Sequence, residues 1–146
     1  MAWYTLNDIA TMTGLTTRTL RNYLKMGLLT GEKVDGVWRF YEEEFYAFMD
    51  EPTVRKGVHA KQNAIVTDFL WMGGRKENRT CVILDYCMEW KDTKRVIDFF
   101  SDKINEQGDD ELRFGMERHK KNVRLIISGS EAAVKEIMKC YYEENQ

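Results

Sequence analysis

The segment "TTRTLRNYLKMGLL", residues 16–29, combines cations with neutral hydrogen-bonding side chains and contains no carboxylate. No Asp or Glu occurs from Ile9 to Gly31, although the chain has 24 acidic residues and a formal net charge of −2. Arg and Lys bind phosphates or guanine, Asn binds adenine, and Thr binds the nucleic-acid backbone or methyl groups. Because carboxylates would repel that backbone, the segment predicts contact with nucleic acid. Charge alone leaves open a basic face that is simply solvated.

A helical wheel, at about 100° per residue, divides the segment into two sides. Leu20, Tyr23 and Leu24 fall on one side, which can pack against a preceding helix. Exposed structural helices usually mix Glu with Lys and Arg, since each i,i+4 pair adds about 0.2–0.5 kcal/mol. Such pairs are absent here, which favours a binding role. The candidate contact residues are Thr17, Arg18, Arg21, Asn22 and Lys25.

Capping signals predict two short helices in this region. Thr5 and Asp8 have the spacing of a capping box, and Gly14 ends the first helix. Thr16 caps the second helix and Gly27 closes it. Because a turn of about three or four residues with a glycine joins the two, they are typical of a helix-turn-helix.

A β-hairpin is predicted directly after these helices. Asp35-Gly36 is a two-residue turn signal between flanks that favour β-strand. Alternation along the second strand places Arg39 on one face and Trp38 on the other. We therefore predict that Trp38 anchors the hairpin in the core and that Arg39 contacts phosphate. Lys33, before the turn, adds a second cation.

The helix pair and the following "WRFYEEEF" resemble the DNA-binding domain of the MerR family of transcription regulators. That family has a helix-turn-helix with T-L-R-x-Y, then G-L, then a wing ending in R-x-Y; the resemblance covers about residues 3–50. Excisionase-type winged helices share much of this pattern and are the alternative. The resemblance implies that the recognition helix and the wing contact double-stranded DNA through Arg18, Arg21, Asn22, Tyr23, Arg39 and Tyr41.

The chain departs from the family pattern in two ways. Asn22 stands where many members have an aromatic residue, and Leu24 where they have an acidic one, so the base preference does not follow from the resemblance. Members usually dimerise through a long helix with apolar repeats, whereas residues 53–71 could form only a shorter, less regular version. We expect a homodimer, with this segment a helix, although "NAIVTDFLW" also fits a strand.

The second half of the chain predicts the order β-α-β-β-α. "RTCVILDYC" indicates a buried strand, "HKK" a hairpin turn, and Ser130 the cap of a last helix. This order predicts a small sheet with helices on one face, close to a ferredoxin-like unit lacking one strand. The fold class is α+β. Three parts are expected: a winged helix-turn-helix (1–51), a linker or dimerisation helix (52–72) and an α+β sandwich for dimerisation or effector binding (73–146).

Other chemistry finds little support in the sequence. No run is apolar enough to span a membrane and no signal peptide is evident, so we expect a cytoplasmic protein. Cys81, Cys87 and Cys140 lack CxxC spacing and predict buried free thiols. With two histidines and no evident nucleophile-base-acid set, we expect no enzymatic activity, no metal and no cofactor. Large side chains near strand ends either fill the core or hold an apolar effector: Trp71, Met72, Tyr86, Met88 and Trp90.

The leading hypothesis is a sequence-specific DNA-binding transcription regulator that acts as a homodimer on an inverted repeat. An alternative is a non-enzymatic interaction module. In that case the winged domain would dock another protein, and the sandwich would assemble oligomers by adding a strand at its open edge.

Overall fold

The structure, a computed structural model, describes residues 3–71 and 76–144. It is a mixed helix and sheet fold, as the sequence predicts. The elements in chain order are β1 (Trp3–Tyr4), α1 (Leu6–Thr13), α2 (Thr17–Lys25), β2 (Glu32–Val34), β3 (Val37–Tyr41), α3 (Glu42–Asp50), α4 (Pro52–Trp71), β4 (Arg79–Cys87), α5 (Trp90–Gln107), β5 (Arg113–His119), β6 (Asn122–Ser130) and α6 (Glu131–Glu144).

The helix-turn-helix has the predicted caps. The Asp8 amide donates to Thr5 Oγ1 at 3.0 Å, and the Thr5 amide donates to Asp8 Oδ2 at 2.9 Å. Gly14 ends α1 in the left-handed conformation with φ 76°. The Thr19 amide donates to Thr16 Oγ1 at 3.1 Å, which caps α2. These local bonds satisfy amides that a helix start leaves unpaired, and they fix the two helix boundaries.

The predicted hairpin is present and belongs to a three-stranded sheet in the order β1-β3-β2. Asp35 and Gly36 both have positive φ, 51° and 79°, as a two-residue type I′ turn requires. Strand β1, which the sequence reading did not include, pairs with β3 so that Trp3 lies opposite Tyr41. The wing is therefore held on both sides of β3.

The segment after Pro52 is a helix, which confirms the helix interpretation over the strand alternative. Its buried residues, Val54, Val58, Gln62 and Ile65, recur at helical spacing. Residue 72, where the sequence places the end of this helix, and Met72 as a ligand candidate lie outside the described residues.

The second sheet has the order β4-β6-β5 with both pairings antiparallel. Phe114 of β5 stacks on Phe100 of α5 with ring centroids 6.0 Å apart, so α5 covers one face. The next residue, Gly115, lies against Gln62 of α4, because a Cβ at this position would overlap the Gln62 amide. Successive strand residues point to opposite faces, so helices lie on both faces. Helices α5 and α6 of the β-α-β-β-α unit lie together on one face, as predicted, because Phe100 contacts both Phe114 and Tyr141 of α6. The helix on the other face, α4, precedes that unit, and sequence order does not reveal where it packs.

Strand β4 lies at an edge of the sheet. The sequence predicts that this strand is buried, but it is partly exposed. The exposed fraction of Ile83 is 49%, and Cys87 is exposed. The three cysteines are free, as predicted, but only partly buried or exposed rather than buried. The apolar run therefore predicted a strand correctly, but it did not reveal that β6 is the only described strand that pairs with β4.

A continuous hydrophobic core joins the two sheets. Helices α1 and α3 both contact β5, and α4 contacts α3 as well as β5 and β6. Fully buried residues from the N-terminal part, such as Phe45 and Phe48, belong to the same cluster as Phe100 and Leu125. The core thus braces the helix-turn-helix and wing against the rest of the chain.

Candidate nucleic-acid interface

The exposed side of α2 carries the basic residues that the helical wheel groups together. Arg18, Arg21, Asn22 and Lys25 are exposed, and Thr17 is half-buried. No ion pair within residues 3–71 and 76–144 involves these three cations. Their charges are therefore available to an external anion.

The opposite side of α2 holds the helix in the core. Leu20 is fully buried, and Leu24 packs against the core cluster. The ring of Tyr23 lies edge-on to Phe48 with centroids 5.8 Å apart. Its hydroxyl lies against Gly57 of α4, where a Cβ would approach Tyr23 Oη to 2.8 Å. Tyr23 therefore fixes α2 against α3 and α4, and its ring is packed apart from the exposed basic side.

The wing cations rest on aromatic rings. The Arg39 guanidinium lies 4.5 Å from the centroid of the Trp3 ring, and Lys33 Nζ lies 5.9 Å from that of Trp38. Cation–π contact orients a cation without neutralising its charge. Glu32 lies opposite Arg39 in the strand register, yet neither wing cation has an ion pair in the described part of the chain.

The remaining wing residues have structural contacts. Trp38 is half-buried and stacks on Phe40 at 6.0 Å with an interplanar angle of 13°, in keeping with its predicted anchoring role. Tyr41 is half-buried at the start of α3, and its amide donates to Glu44 Oε1 at 3.1 Å. Trp3, which supports Arg39, is not among the residues predicted from the sequence. The two aromatic residues before the Thr5 cap were a usable strand signal.

The geometry of this N-terminal segment agrees with its similarity to a family of regulatory proteins. Residues 4–47 match the model of the MerR HTH family regulatory protein. This MerR-type segment runs from β1 into α3 and includes the helix-turn-helix and the wing, as the sequence resemblance implies. It covers less than half of the chain and includes neither α4 nor the second sheet. Searches of curated proteins and of solved structures gave no match.

Among the C-terminal candidates for effector binding, Tyr86, Met88 and Trp90 pack against the core cluster, whereas Trp71 does not. Trp71 is 84% exposed at the end of α4, whereas Trp90 packs among Phe45, Tyr46 and the Arg118 guanidinium. Within the described ranges, no group of three or more His, Cys, Asp or Glu side chains could hold a metal ion. No helix there is long and apolar enough to cross a membrane.

Proposed function

We propose that this chain is a sequence-specific DNA-binding transcription regulator. In this proposal α2 enters the major groove of double-stranded DNA and the wing contacts phosphates. The observation that supports it best is the exposed side of α2, which carries three cations and Asn22 and contains no carboxylate. The three cations form no ion pair within the described ranges. The match of residues 4–47 to a helix-turn-helix regulatory family supports the same proposal.

Different residues would carry affinity and specificity. Arg18, Arg21 and Lys25, with Lys33 and Arg39 on the wing, would neutralise phosphates and supply sequence-independent affinity. Asn22 has the amide group that makes two hydrogen bonds to adenine in the major groove. Thr17 and Tyr41 would contact the backbone. Tyr23 would act chiefly by holding α2 in position.

Binding to a random duplex at low salt, measured by gel shift, tests the first step. Wild-type protein should bind at micromolar concentration, and Arg21→Ala should weaken binding to every sequence. Asn22→Ala should instead reduce the preference between sites, by about 1–3 kcal/mol if Asn22 contacts a base. If the chain binds no duplex under these conditions, the DNA-binding proposal is wrong and the alternative of a protein-docking module is favoured.

We also propose that two copies of the chain pair through β4. This nine-residue strand is at the edge of its sheet, and no described strand pairs with its outer side. It contains no Pro, Gly or Lys, although proteins commonly use proline, lysine or bulges to block pairing at such edges. A regular, unprotected edge with a half-exposed Ile83 suits pairing with an identical strand.

The sequence of β4 is complementary to itself around a two-fold axis at Ile83. In that antiparallel register Ile83 faces the partner's Ile83, and Val82 faces the partner's Leu84. Asp85 faces the partner's Cys81, and Arg79 faces the partner's Cys87, so no like charges are opposed. The resulting dimer would carry two winged segments, as an inverted repeat in DNA requires.

A charge exchange at Ile83 tests this interface. Because Ile83 faces itself across the axis, Ile83→Lys and Ile83→Glu should each give monomers through like-charge repulsion, as measured by sedimentation velocity without DNA. An equimolar mixture of the two should form a heterodimer. Thermal unfolding of each variant checks that it folds. A monomeric wild-type protein, or single variants that remain dimeric, would contradict pairing through β4 without affecting the DNA-binding proposal.

A further inference from the structure

A groove of about 810 Å³ lies between the N-terminal half of α4 and the neighbouring end of the second sheet. Its volume falls within the range of about 300–1,000 Å³ that is typical of small-molecule sites. Pro52 and Cys87 are exposed among its lining residues and supply apolar surface. Met49, Val58 and Val123 lie buried beneath it. The groove is therefore large enough for a molecule with one or two rings.

The two carboxylates that line the groove already have partners. Arg124 donates from Nε and Nη2 to the two oxygens of Asp85, at 2.7 Å and 3.0 Å. These hydrogen bonds hold the pKa of Asp85 below its ordinary value. Glu117 Oε2 lies 2.8 Å from His59 Nδ1 and its other oxygen lies 3.8 Å from Arg124 Nη1. Neither acid therefore needs a cation from a ligand.

The cations that line the groove are less well compensated. Four lining side chains are Arg or Lys and two are Asp or Glu, which leaves a formal charge of +2 with neutral histidines. Arg55 and Lys56 on α4 form no ion pair with any residue in the described ranges. Arg118 differs from these two: it is 5% exposed, its Nη2 donates to Tyr46 Oη at 2.7 Å and its guanidinium lies over the Tyr46 ring, so its charge faces the protein rather than the groove. Arg118 Nη1 forms an ion pair with Asp50 Oδ1 at 3.6 Å.

We propose that this groove binds a small organic anion whose acidic group lies at Arg55 and Lys56 and whose apolar body lies along Pro52 and Cys87. A carboxylate, sulfonate or phosphate monoester on an aromatic or alicyclic skeleton has this chemistry. The sheet side of the groove, where Asp85 and Glu117 are already paired, would accept the less charged end. Binding requires both the anionic group and the apolar body.

Two related fluorescent probes test the proposal without knowledge of the natural ligand. The anionic probe 8-anilinonaphthalene-1-sulfonate should bind the folded wild-type chain and saturate. N-phenyl-1-naphthylamine, its uncharged analogue, should bind more weakly. The double variant Arg55→Gln/Lys56→Gln should weaken binding of the anionic probe at least ~10-fold, because it removes two charge-assisted hydrogen bonds. The same variant should leave the binding of the uncharged probe unchanged.

A matched control separates this site from general charge attraction. Lys135→Gln/Lys139→Gln changes the net charge equally but alters two exposed residues of α6, so it should not affect binding of the anionic probe. Amide shifts in a ¹H–¹⁵N spectrum should be confined to residues 49–59, 85–87 and 117–124. The proposal is overturned if both double variants weaken the anionic probe equally, if neither does, or if the shifts lie elsewhere. Displacement of the probe by inorganic sulfate at equal concentration would refute the requirement for an apolar body.

Discussion

The salt dependence of DNA binding can be worked out from the number of cations that the interface presents. Five basic residues of α2 and the wing have no ion pair in the part of the chain that the structure describes: Arg18, Arg21, Lys25, Lys33 and Arg39. Each phosphate neutralised on B-DNA contributes about −0.9 to the slope of log K against log salt concentration. If all five contact phosphates, the slope is about −4.5 per protomer and about −9 for a dimer on two half-sites.

Arg21→Gln removes one of these cations while keeping a side chain of similar length. Its slope should be shallower than that of the wild type by about 0.9 per protomer, because one fewer counterion is released on binding. Fluorescence anisotropy of a labelled duplex, titrated from about 50 to 200 mM KCl, measures this slope directly. Lys135→Gln on the exposed side of α6 makes the same change in net charge and should leave the slope unaltered.

Two results would refute this reasoning. A wild-type slope near zero would mean that no phosphate is neutralised, and the proposed interface would not exist. Equal slope changes for Arg21→Gln and Lys135→Gln would mean that net charge, rather than the basic side of α2, governs binding.

The fold gives three further predictions. Gly57→Ala should raise the free energy of unfolding by about 1 kcal/mol through helix propensity, but the close approach of the new Cβ to Tyr23 Oη offsets this gain. In a Tyr23→Phe background the full gain should appear in denaturant unfolding. An equal effect in both backgrounds would show that the contact does not affect stability. Gly115→Ala should lower the free energy of unfolding by about 1–3 kcal/mol through overpacking against Gln62, and a Gln62→Ala background should remove most of that loss; additive effects would contradict direct contact. Hydrogen bonds from Arg124 lower the pKa of Asp85, so the contribution of Asp85 to stability is present above about pH 4 and is lost as the pH falls through its folded-state pKa. The free energy of unfolding of Asp85→Asn should therefore fall less steeply with acid than that of the wild type. Equal acid dependence of the two proteins would show that the ion pair does not form in solution.

Local features of the winged segment could be read from the sequence because their causes are local. Each helix cap bonds to an amide three residues away: Thr5 and Asp8 bond to each other at the start of α1, and Thr16 accepts from the Thr19 amide at the start of α2. Asp35 and Gly36 adopt the positive φ values that their own turn requires. The basic side of α2 was also accessible, since helical geometry alone separates Leu20 from Arg21. These predictions needed no knowledge of distant contacts.

The features that were missed depend on long-range pairing. Trp3 supports Arg39 only because β1 pairs with β3, nearly forty residues away along the chain. The nine residues of β4 read as a buried strand, but the order β4-β6-β5 leaves this strand at an edge, so Ile83 and Cys87 are exposed. Apolar content does not distinguish an edge strand from a central one.

The position of α4 was also beyond sequence reasoning. Its buried side includes the polar residue Gln62, whose amide atoms have no hydrogen-bond partner in the described part of the chain. In the sequence, Gly57 and β-branched residues weaken the helical pattern, so a strand remained an alternative. The helix packs on the second sheet face because Gly115 leaves room for Gln62, a complementarity that becomes visible only when both elements are placed.

Selection of binding sites from a random duplex library, with wild-type protein and Asn22→Ala in parallel, tests the central claim most directly. That claim is that the basic side of α2 enters the major groove and reads base edges there. Wild-type protein should enrich a defined sequence in two inverted copies, and Asn22→Ala should lose preference at one position in each copy. No enriched sequence with wild-type protein, or an identical sequence enriched by both proteins, would contradict base reading by this helix.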